Sequence, residues 1–296
     1  AQPYVIDEQS ISISASIGVS LYPIDNSDLD TLMRHADQAM YQSKLAGRNR
    51  YSLFNTEEDE QNVQKNIKFK EIQDALENNE LCLYYQPKVN MATGGVFGVE
   101  ALIRWNHPER GLVPPLEFLP IIEATELEIQ VGNWVINEAL TQLEEWQERS
   151  IELEVSVNIS SYHLVSPLFI ENLEKVLSLH PKIYSKSLQL EILESSALGD
   201  ITLISNIIKT CIHALGVRIA LDDFGTGYSS LTHLRNLPTE VLKIDQTFVR
   251  DMLDDPSDYA IIDSVIGLSD SFDREVIAEG VETTQHGLML LAMGCN

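Results

Sequence analysis

From residue 81 onward, short β-branched apolar runs alternate with stretches of helical spacing, and that rhythm restricts the fold more than any other feature. LCLYYQP (residues 81–87) and VFGVEALIRW (96–105) flank MATGG, a turn composition that predicts an antiparallel hairpin. Asn133 to Glu148 reads as an amphipathic helix. LEVSVNIS, LQLEIL, VRIALDD, VLKID and EVIAEG follow, most of them separated by helical segments. Such a succession predicts parallel βα units and favours a (β/α)₈-type barrel over an open sheet. The strands number seven, and the sequence stops after the helix that follows the last, so the barrel is expected to lack its closing strand.

Polar residues stand at the carboxyl ends of these apolar strands: Asn158, Glu191, Asp222 with Asp223, Lys243 and Glu279, joined by Glu100 from the hairpin. A barrel gathers the carboxyl ends of its strands on one face, where active sites of this architecture lie. Taken singly, Asn158 or Glu191 reads as readily as a strand-end residue capping the next loop, Asp222-Asp223 as a turn, and Lys243 as a surface lysine. The repetition points to a site, because carboxylates gathered without cations repel one another. Oxygen-only ligands with no Cys or His nearby select Mg²⁺ or Mn²⁺ rather than Zn²⁺. Adjacent Asp222 and Asp223 suit two neighbouring ions, an arrangement fitted to in-line displacement at phosphorus. Phosphodiester hydrolysis is the reaction class this predicts. Arg104 reads equally as a phosphate contact or a structural ion pair. DFGTGYSS (223–230) is glycine-rich but is neither a P-loop nor a dinucleotide fingerprint, and is expected to be a mobile loop of the site.

Charge narrows the partners. Forty-five Asp and Glu against 20 Lys and Arg give a net charge of −25, which excludes long nucleic acid and contact with an anionic membrane. No apolar run approaches the roughly 20 residues of a membrane span. Cys82, Cys211 and Cys295 form neither a zinc spacing nor a disulfide framework, so reduced thiols and a cytoplasmic location are expected, if need be as the cytoplasmic part of a larger membrane-anchored protein.

The first 80 residues differ in texture. ISISASIGVSLY (11–22) predicts a strand, Asp28 to Lys44 a helix, and Tyr51 to Phe54 a short strand, too little to stand as an independent domain. Residues 55–80 are polar with a sparse apolar stripe and predict a solvated linker helix, leaving 81–296 as the catalytic domain.

Glu100-Ala101-Leu102 with Ile103-Arg104-Trp105, then SVNIS, LEILES, ALDDFGTGYSSL, LPTEVLKID and VIAEGVET, resemble in order the EAL family of cyclic di-GMP phosphodiesterases over residues 81–296. The resemblance implies a modified TIM barrel with one antiparallel strand and Mg²⁺- or Mn²⁺-dependent opening of cyclic di-GMP to linear pGpG. It implies Glu100, Asn158, Glu191 and Asp222 as ligands of one metal, Asp222 bridging to a second ion held with Asp223, and Glu279 as a further participant in the metal site. It further implies Lys243 orienting the hydrolytic water, Glu194 anchoring the DFGTGYSS loop, and Gln86, Leu102, Arg104 and Asp223 as substrate contacts. A homodimer is implied as well. Catalytic roles thus fall to Glu100, Lys243 and Glu279. Leu193 stands where the family commonly has Thr or Ser, and the family's continuation after Gly294-Cys295, an eighth strand with a glutamine near the substrate, does not follow here. SISASIGVSLYP, ADQAMYQSK and GRNRY resemble the C-terminal half of a GGDEF (diguanylate cyclase) domain, so residues 1–54 are expected to be an α+β remnant without cyclase activity.

Overall fold

The computed structural model describes residues 4–6, 9–11, 14–195, 200–225 and 231–296, in two compact units, 1–71 and 72–296. In the first, β1 (Tyr4–Ile6) pairs antiparallel with β2 (Gln9–Ile11), and β3 (Ile17–Val19) pairs parallel with β4 (Tyr51–Leu53). The single strand expected over residues 11–22 is therefore divided, with residues 12 and 13 outside the described set. Helix α1 (Leu29–Leu45) starts where Asp28 accepts from the Thr31 amide, 2.8 Å away. It packs closely on β3, since a Cβ on Gly18 would lie 1.9 Å from the Ala36 carbonyl oxygen. Buried Asp25 accepts from Ser27, His35 and Ser20, bonds that hold its carboxyl well below the usual carboxylate range. Helix α2 (Thr56–Glu77) follows.

The second unit is the barrel. Strands β5 (Leu81–Asn90) and β6 (Gly95–His107) form the antiparallel hairpin, and a short β7 (Gly111–Val113), unmarked by the sequence pattern, extends β6. Strands β8 (Glu154–Ile159), β9 (Leu188–Leu193), β10 (Arg218–Phe224), β11 (Val241–Ile244) and β12 (Glu275–Ala278) continue the sheet in the order β12-β11-β10-β9-β8-β6-β5, all parallel from β6 to β12. The larger helices outside it include α3 (Glu126–Glu148), α4 (Phe169–Leu179), α5 (Ile201–Thr210), α6 (Gln246–Asp251), α7 (Pro256–Ser271) and α8 (Thr284–Met293). Helix α3 begins seven residues before the expected Asn133, for its buried stripe already includes Leu127 and Val131. Gly132 does not break it. A Cβ there would lie 2.3 Å from His163 Nδ1, so the glycine serves a close approach.

Among the described residues β5 and β12 do not pair, so the sheet curls into a barrel open at one edge, as the strand count predicts. The gap is a cleft of about 980 Å³, lined on one side by β5 from Gln86 and on the other by β12. Parallel barrels usually fill their interior with branched apolar side chains. This interior is polar: Ser156, Gln189, Glu191, Asp222, Lys88 and Lys243 are all buried. The register explains how they stack. Gly98 pairs with Glu154, Glu100 with Ser156, Ser156 with Gln189, Asn158 with Glu191, and Gln189 with Arg218. Paired residues share a face and alternate residues return to it, and side-chain contacts divide this inward face into three polar layers. Glu154, Arg218 and Glu275 form the base, Lys88, Ser156 and Gln189 the middle, and Glu100, Asn158, Glu191, Asp222, Lys243 and Glu279 the rim at the carboxyl ends of the strands.

Candidate active site

Lys243 is the centre of the rim. Its Nζ lies 2.6 Å from Glu191 Oε2, 2.6 Å from Glu279 Oε1, 3.1 Å from Asp222 Oδ1 and 3.6 Å from Glu100 Oε2. Asn158 Nδ2 donates to Glu100 Oε1 at 2.7 Å, fixing that carboxylate so that its other oxygen faces the lysine. Burial opposes the charge on Lys243, but the carboxylates of Glu191, Asp222, Glu100 and Glu279 outweigh it and raise its pKa above the ordinary value. In the metal-free site the lysine therefore carries its proton.

Neighbouring strand residues point to opposite faces, yet Asp222 and Asp223 both face this cluster. Two features of β10 re-aim the second one: the register with β11 shifts between Leu221 and Phe224, and Asp223 adopts a left-handed conformation with φ 54°. Oxygens of Asp222, Asp223 and Glu279 thereby come within 4.8 Å of one another. Crowding leaves its mark on protonation. Burial, reinforced by the charge on Glu191 and countered by Lys243, raises Asp222. Burial, then the charges of Asp222 and Asp245, pushes Asp223 up to about 6. Burial, countered by Lys243 but reinforced by Asp222 and Glu100, pushes Glu279 up to about 7.

The residues fit a pair of hard divalent cations. Their donor atoms are all oxygens. Five carboxylates against one ammonium leave an excess of negative charge in a largely buried space, and Glu191 Oε1 is buried with no hydrogen-bond partner.

Comparison with known proteins accords with this geometry. Residues 70–296 match the EAL domain family. The chain belongs to the EAL family. Residues 1–50 match the diguanylate cyclase GGDEF domain. The chain is 39% identical over 298 residues to the bifunctional diguanylate cyclase/cyclic di-GMP phosphodiesterase MucR of Pseudomonas aeruginosa, covering 100% of this chain and 43% of that protein. Identity to the cyclic di-GMP phosphodiesterase PdeR of Escherichia coli is 35%, over 99% of this chain and 44% of that one. The chain thus spans less than half the length of these relatives. The solved complex of the PaMucR phosphodiesterase with c-di-GMP superposes with a TM-score of 0.73 at 38% identity, covering 77% of this chain and 92% of that one.

Around the rim of the EAL barrel, the other expected residues lie at different depths. Gln86 pairs with Glu100 across the hairpin and lines the cleft beside it. Leu102 and Arg104 continue the same face of β6 beyond Glu100, where Arg104 Nη1 donates to the Ile103 carbonyl and its guanidinium lies 5.8 Å from the Tyr84 ring. Glu194 is buried, and its Oε2 accepts from the Gly225 amide at 2.8 Å, tying β9 to the start of the glycine-rich loop. Residues 226–230 of that loop lie outside the described residues. Leu193 is exposed.

Sequence reasoning passed over two residues of the EAL interior. Asp245 caps α6, accepting from the Thr247 amide at 2.9 Å, and its carboxylate faces Asp223. Its place at the end of VLKID, two residues after Lys243, could have marked it. Lys88 is buried in the middle layer, and the cue was a charge directly after the apolar YYQP run.

Proposed function

We propose that this chain hydrolyses cyclic di-GMP to linear pGpG with Mg²⁺ or Mn²⁺ in a two-metal site. The observation that carries the reading is the convergence of Glu100, Glu191, Asp222 and Glu279 on the Lys243 ammonium, with Glu191 Oε1 left unpartnered. Membership of the EAL family supports the substrate. Glu100, Asn158, Glu191 and Asp222 would hold one ion and Asp222 with Asp223 a second, with Glu279 joining them. Bound ions of this kind lower the pKa of water and neutralise charge on a phosphodiester.

The chain's own residues do the rest. Asn158 orients Glu100. Lys243, locked between Glu191 and Glu279, keeps its protons and orients the attacking water by donation. Glu194 holds Gly225, and with it the entry to the loop after Asp223. Gln86, Leu102 and Arg104, on the face of the hairpin that carries Glu100, contact the dinucleotide, Arg104 offering its fork to a phosphate. A homodimer and a cytoplasmic setting belong to the same proposal through the family resemblance; among the described residues no helix is long and apolar enough to cross a membrane.

Chromatography of cyclic di-GMP incubated with the chain and Mg²⁺ or Mn²⁺ tests the reading. The expected result is pGpG that disappears with chelator and in Glu100→Ala. Binding of the dinucleotide without turnover would instead make the chain a receptor.

A further inference from the structure

The middle layer contains a cation that the proposed reaction does not use. Lys88 is buried, and its Nζ donates to Ser156 Oγ at 2.5 Å and to Gln189 Oε1 at 3.0 Å, while Ser156 Oγ donates to the same Gln189 oxygen at 2.8 Å. No described carboxylate lies within ion-pair distance of it. A buried ammonium without an ion-pair partner is costly, and methionine would fill the same volume without the cost, so packing alone does not account for it. Burial depresses its pKa, while the charges of Glu191, Glu154 and Glu100 act to sustain it.

The cradle that holds it is regular. Gly98, Ser156 and Gln189 each stand two residues before a rim residue on the same strand face, Glu100, Asn158 and Glu191 respectively. Gly98 makes room for the lysine stem: a Cβ there would lie 3.1 Å from Lys88 Cε and 3.0 Å from the Glu154 carbonyl oxygen. One ammonium thus cross-links β5 to β8 and β9, directly beneath the residues that those strands present at the rim.

We infer that Lys88 is a positioning residue: by tying Ser156 and Gln189 together under Asn158 and Glu191, it sets the orientation of the rim ligands without touching metal or substrate. The inference rests on the metal-dependent reading above for its kinetic consequences, but its geometric core stands apart from it.

The test uses the full 296-residue chain. In Lys88→Met, the Kd for Mn²⁺ should rise about tenfold and kcat on cyclic di-GMP fall about tenfold with KM within about twofold, the scale of losing an outer-shell partner. The side-chain amide resonances of Asn158, assigned by their loss in Asn158→Leu, should shift in the metal-free protein. Gln189→Leu removes the shared acceptor and should move the same readouts in the same direction, and the double variant should match Lys88→Met rather than the product of the two. A purely structural lysine would lower Tm while leaving the Asn158 resonances and the Mn²⁺ Kd of the folded protein unchanged, and that result would overturn the inference. If Lys88→Met does not fold, Gln189→Leu decides by the same readouts. If the parent chain turns over no cyclic di-GMP, the phosphodiesterase reading fails, and the Asn158 resonances still decide for or against positioning.

Discussion

The barrel closes its two ends with charge, and the ends differ in what balances it. At the base, Arg218 lies at the centre of Glu154, Glu240 and Glu275. Its Nη1 reaches both Glu154 oxygens at 3.1 and 2.9 Å, and Nη2 reaches Glu275 at 2.6 Å. At the rim, Lys243 lies at the centre of Glu100, Glu191, Asp222 and Glu279. Both clusters are acidic in sum. The base carboxylates keep contact with water, with side chains 31% exposed for Glu154, 41% for Glu240 and 66% for Glu275. The rim carboxylates are drier, with side chains 25% exposed for Glu279, 18% for Glu100, 9% for Asp222 and 0% for Glu191. Water reaches Glu154 and Glu275 at the base, though Glu240 Oε2 is buried without a hydrogen-bond partner, whereas the rim gathers more carboxylates in a drier space. The drier a cluster of like charges is, the more its balance depends on a bound counter-ion.

The contrast breaks first at Asp222. Asp222→Asn should lower turnover of cyclic di-GMP by at least about 10²-fold, the scale of several kcal/mol of lost electrostatic stabilisation. In the metal-free protein the same change should raise Tm, because it removes a buried carboxylate that its surroundings disfavour. A fall in Tm alongside intact turnover would show the rim to be structural.

Next come the two central cations. Lys243→Met leaves buried carboxylates uncompensated and should cost about 3–5 kcal/mol in the metal-free protein, together with activity. Arg218→Met, whose partners are wetter, should cost about 1 kcal/mol and leave kcat within a few-fold. Urea denaturation of both variants measures the difference, and equal losses would erase the distinction between the two ends.

A further effect is on pH dependence. Glu279 at about 7 and Asp223 at about 6 both bind protons more tightly folded than unfolded. The folded state therefore holds extra protons between the ordinary carboxylate range and pH 7, and stability declines as pH rises through that window. Metal-free protein should be less stable at pH 8 than at pH 5 by on the order of 2 kcal/mol, read as urea midpoints. Saturating Mg²⁺ should remove the decline, and a decline that persisted with the ion would place its origin outside the rim.

Much of this rim was legible in the sequence because polarity at the end of an apolar strand is a local signal. Asn158, Glu191, Asp222, Lys243 and Glu279 each end or nearly end such a run, Glu100 stands inside the hairpin strand β6, and the barrel's topology brings them to one face. The layers below were not legible in the same way. Ser156 and Gln189 interrupt apolar strands as single polar letters, and Arg218 with Glu154 and Glu275 look like ordinary strand beginnings. Only the register between strands shows that they meet. Asp223 was found by its adjacency to Asp222, yet the bulge and positive φ that turn it inward are not written in any residue preference, since aspartate tolerates that conformation without demanding it. The early start of α3 shows only once Leu127 and Val131 are seen to be buried and His163 is seen packed against Gly132.

The most direct test is Mn²⁺ titration of the metal-free chain, followed by the paramagnetic resonance of the free ion. Two bound ions per chain are expected, with loss of at least one in Asp222→Asn and both retained in Arg218→Met. Absence of Mn²⁺ binding at millimolar concentration, or binding indifferent to Asp222, would contradict the claim that the rim's unbalanced charge is a metal site.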